Sequence, residues 1–343
     1  MHVNRPPLRY GGPALALVLL AGWPAAAQGD QVAEFYRGKT VNVMVGVAVG
    51  GEYDLHARLI ARFIGKHIAG SPTVVVQNMT GAGGLKMANH LYNVAVQDGT
   101  QIGMLANTFP SMQALGERQV QFDAARFQWI GSISPTVETM AVWKTTGAKT
   151  IEDARKQEIV AGATGRGAIT YAFPKMLNEL LGTKFKIVTG YPGGNDVNVA
   201  MERGEVGARN NTWSSWKSTK PEWLKNQDIA ILVQAGPKAK DLANVPTVEE
   251  LAKNEDERRI IGLIISGTKL GRPLATGPGV PPERVKALRE AFDATMKDTE
   301  FRQAAAAAKI EVDPVRGEDM QKVVEQVLST PKELIERAKS IME

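Results

Sequence analysis

The chain has no cysteine among its 343 residues. That excludes disulfides, thiolate nucleophiles, Cys-ligated metals and lipid attachment to an N-terminal cysteine, so the apolar core must hold the fold unaided. Long hydrophobic runs are also missing. The most apolar stretch, residues 14–20, falls short of the roughly 20 residues that cross a bilayer. It follows Arg5 and Arg9 and precedes Ala25-Ala26-Ala27, the layout of a secretory signal peptide, so residues 1–27 are expected to be removed and the remainder to be soluble and periplasmic. Histidine is scarce, and His56, His67 and His90 show neither metal-ligand spacing nor a G-x-S-x-G partner; His56 and His67 are expected on helix surfaces. Neither G-x-x-x-x-G-K-[ST] nor G-x-G-x-x-G with a suitably placed acid occurs, which removes the common nucleotide motifs. No cofactor and no metal are expected.

The formal charge is +5, falling to +3 without residues 1–27 and their two arginines. Such a balance weakly favours small anionic partners, and with no Lys/Arg run interleaved with aromatics, nucleic acid is not expected as a partner. About 315 residues exceed what one core usually serves, so two lobes are expected.

Along the chain, β-branched runs alternate with glycine turns and helical spacing. Residues 40–49 (TVNVMVGVAV) read as a strand, followed by Gly50-Gly51 and a helix carrying Leu55, Leu59, Ile60, Phe63 and Ile64. Residues 73–77, a turn at 80–84 and a helix through Leu91 repeat the unit. A second series comprises a strand at 159–163, the turn Thr164-Gly165-Arg166-Gly167, a helix over 169–181, a strand at 186–189 and the turn Tyr191-Pro192-Gly193-Gly194. Alternation of this kind predicts an α/β fold with mixed, mostly parallel sheets flanked by helices. Residues 208–216 (ARNNTWSSW) read as a polar, aromatic turn after a short strand. Residues 271–282, rich in glycine and proline, are either a return crossing between lobes or a surface loop. Helices are expected from Pro281 to Met296 and from Glu318 to Met342, the latter interrupted by Pro331.

Three glycine turns between strand and helix can each present backbone N–H groups and a helix N-terminus to an anion. Taken singly, each is also what any strand-to-helix reversal requires. Asp54 is expected to cap the helix that follows it. Arg166, at a helix start, is a candidate for a bidentate carboxylate contact or a solvated surface arginine. Tyr53, Phe109, Tyr191 and Trp213 are candidates to wall an aromatic ligand.

Three segments, 46–68, 74–105 and 162–209, resemble the solute receptors of tripartite tricarboxylate transporters, the Bug-type or TctC-like family. The likeness rests on the first glycine turn with Asp54, Ala57 and Arg58, on Asn78 with its glycine turn and Asp98-Gly99, and on the Tyr191-Pro192-Gly193-Gly194 turn. The resemblance implies a two-lobed Venus-flytrap clamshell that captures a small di- or monocarboxylate and passes it to integral membrane transporter subunits. The expected lobes are 28–135 with 263–343, and 136–262; a monomer is expected. By position, the ligand contacts would be Ala48, Gly50, Glu52, Tyr53, Asn78, Gly83, Asn107 and Thr108 from one lobe. The other would supply Thr164, Arg166, Gly167, Ala168, Tyr191, Gly193, Asp196, Asn211 and Trp213. Glu52 departs from the pattern, standing where a small residue is usual: it either points outward or selects a ligand with a donor group. The segment between Trp143 and Val160 is shorter than in many members. A ligand sensor for a membrane kinase shares the fold; an exported enzyme would need a nucleophile or base that the sequence does not show.

Overall fold

The computed structural model describes residues 1–3 and 25–342; most of the expected signal segment lies outside them. Four strands come first: β1 (Thr40–Val45), β2 (Thr73–Asn78), β3 (Gln101–Met104) and β4 (Gln128–Ser132). The next five, β5 (Glu138–Trp143), β6 (Ile159–Ala163), β7 (Phe185–Thr189), β8 (Ala208–Thr212) and β9 (Ile229–Ala235), form a separate sheet in the order β7-β6-β8-β5-β9. The chain then returns with β10 (Leu274–Thr276) and β11 (Val315–Arg316) to complete the first sheet, ordered β11-β4-β10-β3-β1-β2. Both sheets are mixed. Strand β1 lies parallel between β2 and β3, while β10 runs antiparallel to β3 and β4; in the second sheet β6 is parallel to β7 and β8, and β5 is antiparallel to β8 and β9.

Central strand β1 shows why its residues choose this environment. Val41, Val43 and Val45 face one apolar cluster and Met44 faces another, so both faces are covered, as a parallel strand between two helix layers requires. On one side the helix Glu52–Ile64 buries Ala57, Leu59, Ile60, Phe63 and Ile64, one stripe at helical spacing. Phe63 meets Phe301 edge-on, tying this helix to Thr299–Ala307. The second sheet is backed by Phe173, Met176 and Leu177 of the helix Ile169–Leu181 against Ile260, Ile261 and Ile264 of the helix Glu255–Ile264.

Several boundaries differ from the sequence reading. Strand β1 stops at Val45, because Gly46 turns the chain so closely past Gly84 that a Cβ there would lie 2.5 Å from the Gly84 Cα. Residues 208–212 form a strand, β8, with all five side chains buried, instead of a turn. The segment 271–282 carries β10 and is the return crossing. The C-terminal helix is interrupted at Pro331 as expected, into Gly317–Leu328 and Lys332–Met342. The first packs on the first sheet through Met320 and Val324, whereas the second places Ala338 in the second sheet's core and pairs Arg337 with Asp256 at 2.5 Å. The expectation that all of 263–343 sits with the first lobe is corrected for this last helix, whose Ala338 is buried in the second core and whose Leu334, Ile335, Ile341 and Met342 pack half-buried against it. Among the described residues no helix is long and apolar enough to cross a membrane.

Candidate ligand site

The turns that follow β1, β2, β6 and β7 meet in a seam between the two sheets, at the carboxyl ends of the strands, where open α/β sheets bind ligands. Their glycines serve that approach. Gly83 has φ +66°, and a Cβ on it would lie 2.9 Å from the Ala168 backbone nitrogen; one on Gly167 would lie 2.6 Å from the Ala82 carbonyl oxygen. The Ala48 N–H donates to the Pro192 carbonyl at 3.1 Å, and the Thr108 hydroxyl donates to the Gly167 carbonyl at 2.8 Å. Backbone thus meets backbone across the seam at Gly83 and Gly167, with no room there for a Cβ.

Behind the seam is a small cavity of about 70 Å³. From the first side it is lined by Gly46, Val47, Glu52, Tyr53, Met87 and Met104. From the second come Thr164, Thr170, Glu138, Arg209, Asn210 and Asn211, and Arg272 enters from the return crossing. Four of these are buried ionisable residues, two acids and two arginines.

Glu52, in the first turn of its helix, points inward. Its carboxylate accepts from Arg272 Nη2 at 2.5 Å, from the Thr212 hydroxyl at 2.5 Å and from the Ser214 hydroxyl at 2.6 Å. Burial alone would raise its pKa, but the guanidinium, His56 and the two hydroxyls outweigh burial and bring it down to about 2. Arg272 also lies 4.4 Å above the Tyr53 ring and 4.0 Å from Glu138 Oε1. Glu138 accepts from Asn210 Nδ2 at 3.1 Å through its other oxygen. Burial raises its pKa, opposed by Arg272 and reinforced by Glu52. Arg209 bonds to the amide oxygens of Asn198 and Asn211, and among the described residues no carboxylate lies within ion-pair distance of it. Burial lowers its pKa to about 10, opposed by the more distant charges of Glu52 and Glu138 and helped by Arg272.

Of the positions implied by the resemblance, Glu52, Tyr53, Gly83, Thr164, Ala168 and Asn211 line this cavity. Ala48, Gly50, Gly193, Gly167 and Thr108 form the seam. Asn78 braces the first turn from behind, donating to the Val47 carbonyl at 2.8 Å and to Asp54 at 3.0 Å. The cap of that helix is Gly51; Asp54 instead accepts from the Gly50 N–H at 3.1 Å and from Arg58 at 2.9 Å. Asn107 is buried, its N–H directed to the Tyr53 hydroxyl at 3.3 Å and its side-chain amide unpartnered.

The remaining positions lie outside the cavity. Arg166 is exposed over the Tyr171 ring in a surface groove, because its turn directs it away from the seam that Gly165 and Gly167 occupy. Trp213 donates to Asp241 at 3.0 Å in a different groove. Tyr191 packs with Val197 and Trp216, and Asp196 sits in the first turn of the helix Gly194–Glu202 without lining the cavity. Phe109 is fully buried against Phe122 and is core. His56 is also corrected: it is 3% exposed, with Nε2 3.7 Å from Glu52 Oε1. Burial lowers its pKa to about 4, against the pull of Glu52 and helped by Arg272.

Arg209, Asn210, Glu138, Thr170 and Arg272 were not anticipated. The one available signal was an arginine and two asparagines in succession beside a short apolar run, since buried polar residues in a strand need partners.

The architecture is that of a periplasmic binding protein, two mixed sheets with flanking helices. More particularly, the similar solved structures include BugD and a TctC solute binding protein. The periplasmic binding protein BugD is similar with TM-score 0.72 and 21% identity, over 88% of this chain and 98% of that one. MatC from Rhodopseudomonas palustris with bound malate gives TM-score 0.69 and 19% identity, over 89% and 99%. A UPF0065 protein of Agrobacterium vitis is 27% identical over 234 residues. The match spans 66% of this chain and 64% of that relative's length. No family model matches the chain.

Proposed function

We propose that this chain is a periplasmic solute-binding protein that captures a small mono- or dicarboxylate and delivers it, without chemical turnover, to the membrane subunits of a tripartite tricarboxylate-type transporter. The observation that carries this reading is Arg209. A buried guanidinium with no acid in ion-pair distance is costly unless an anion joins it, and Arg209 stands on the wall of a cavity between two sheets. The likeness to binding proteins, one of them solved with malate, supports it.

In this reading the lobes are residues 28–135 with 263 to about 330, and 136–262 with the last helix. The hinge lies where the chain passes between the sheets, after β4 and before β10. Closure replaces the water around the ligand carboxylate by preformed donors, Arg209 and Asn211 among them, and the closed seam is the surface the transporter reads. In the same reading the chain is exported to the periplasm and residues 1–27 are removed.

A thermal-shift screen of residues 28–343, unfolded and refolded to remove any co-purified ligand, tests the reading. A ligand that binds only the folded state raises the melting temperature. A rise with at least one small carboxylate is expected, and a flat response to aliphatic, aromatic and amino carboxylates would sink the proposal.

A further inference from the structure

The cavity carries its own anions. Glu52 and Glu138 stand against Arg209 and Arg272, so the lining is formally neutral before any ligand enters. Glu52 already occupies Arg272 and the hydroxyls of Thr212 and Ser214, which come from the opposite side of the seam. Arg272, Thr212 and Ser214 are therefore already engaged, and by a fixed negative charge.

What remains unpartnered on the lining is of both kinds. Arg209 Nε, Asn211 Nδ2 and Arg272 Nε are donors without an acceptor; Asn210 Oδ1 and Glu138 Oε1, the latter 4.0 Å from Arg272 Nη1, accept no hydrogen bond. A simple dicarboxylate presents only acceptors at neutral pH. It would leave Glu138 and Asn210 unsatisfied and would bring two negative charges toward two buried acids. A molecule with a carboxylate at one end and an ammonium at the other satisfies both sets and leaves the charge balanced.

From this inventory we infer that the site takes a small amino carboxylate, its carboxylate toward Arg209 and Asn211 and its ammonium toward Glu138, and that Glu52 and Glu138 exclude simple dicarboxylates. The inference rests on the receptor reading above and narrows its ligand class. Glu52 acts as a specificity residue by holding Arg272, and Glu138 by facing the ammonium.

Matched probes test it: β-alanine against malonate, 4-aminobutyrate against succinate and 6-aminohexanoate against adipate, together with α-amino acids against the corresponding 2-hydroxy acids. Each is titrated calorimetrically at pH 7.4 into the wild-type chain, into Glu138→Gln and into Glu52→Gln. The wild type is expected to bind at least one amino carboxylate ten-fold or more tightly than its matched partner. Glu138→Gln, which leaves the Glu52 and Arg272 pair intact, is expected to reduce that ratio at least ten-fold. Glu52→Gln is expected to shift it toward dicarboxylates; should that variant not fold, Glu138→Gln decides alone. Preference of the wild type for dicarboxylates, or a ratio that Glu138→Gln leaves unchanged, overturns the inference while the receptor reading stands. Failure of every carboxylate to bind overturns both.

Discussion

The two ends of the cavity use the same residue types to opposite effect. At the Glu52 end an arginine, a carboxylate and two hydroxyls satisfy one another across the seam, leaving Arg272 Nε as the one unpartnered atom of the two charged groups. At the Arg209 end the guanidinium leans on neutral amides, and one Glu138 oxygen accepts no hydrogen bond, its nearest cation being Arg272 at 4.0 Å. Both ends are buried, so burial alone does not mark a binding site. Incomplete pairing does: a closed network stabilises one arrangement of the two sheets, whereas an open one waits for a partner.

The sharpest way to break this contrast is to unpair the closed end. Arg272→Ala leaves the Glu52 carboxylate buried without its cation, and the expected loss of unfolding free energy in urea is roughly 3–5 kcal/mol. The double variant Glu52→Gln, Arg272→Met should recover part of it, since removing both charges avoids the stranded one. A loss under about 1 kcal/mol for Arg272→Ala would show that the network does not hold the sheets together.

Next in size is the pH response of His56, which is packed against that network. Its folded pKa of about 4 lies below the ordinary 6.5, so the folded protein keeps the ring neutral while the unfolded chain takes up a proton as pH falls below 6.5. Stability from this group is therefore present above pH 6.5 and lost on descending to about pH 4, by about 3 kcal/mol. Glu52 contributes its own loss in a lower window, from its ordinary 4.5 down to about 2. Urea melts of wild type and His56→Gln between pH 7 and 4.5 separate the two. The variant is expected to lose most of the slope in that interval, and equal slopes would assign the acid sensitivity elsewhere.

At the open end the effect should fall on binding. Arg209→Gln is expected to weaken affinity for whichever carboxylate the thermal screen identifies by roughly 1.5–3 kcal/mol, the range of a lost hydrogen bond to a charged group. Calorimetry reads this directly. Undiminished affinity would remove Arg209 from the ligand.

How legible this was from sequence follows the physics of each signal. Valine alternating with helical spacing around residues 40–64 gave the strand, turn and helix, because both periods are local properties. The glycine turns were recognised too, but their reason was not: that Gly83 and Gly167 admit the backbone of the opposite half depends on residues some 80 positions apart. Glu52 was noticed as an oddity, yet its partner Arg272 lies 220 residues further on, in a stretch whose glycine and proline content pointed only to a crossing. Arg209 was hidden differently. A strand of five buried residues beginning Ala-Arg-Asn-Asn violates every propensity rule, and only tertiary partners make it a strand. His56 was placed on the surface because polarity was taken for exposure, whereas its helix buries Glu52, His56 and Ile60 on one face, four residues apart.

Arg166 is the reverse case, a residue whose local setting left a ligand contact and a solvated surface position both open. It follows a glycine at the head of a helix, where an anion-binding arginine is plausible from sequence alone. The structure gives that turn to the seam: Gly165 and Gly167 pack against residues 82–85, and the arginine between them is turned outward over Tyr171. An exposed cation above an aromatic ring contributes little. Arg166→Ala is accordingly expected to change ligand affinity and stability by less than about 0.5 kcal/mol each, measured beside Arg209→Gln in the same titrations. A loss of affinity as large as that of Arg209→Gln would mean that the ligand reaches the outer groove, and would shift the binding site from the unpaired end of the cavity to its mouth.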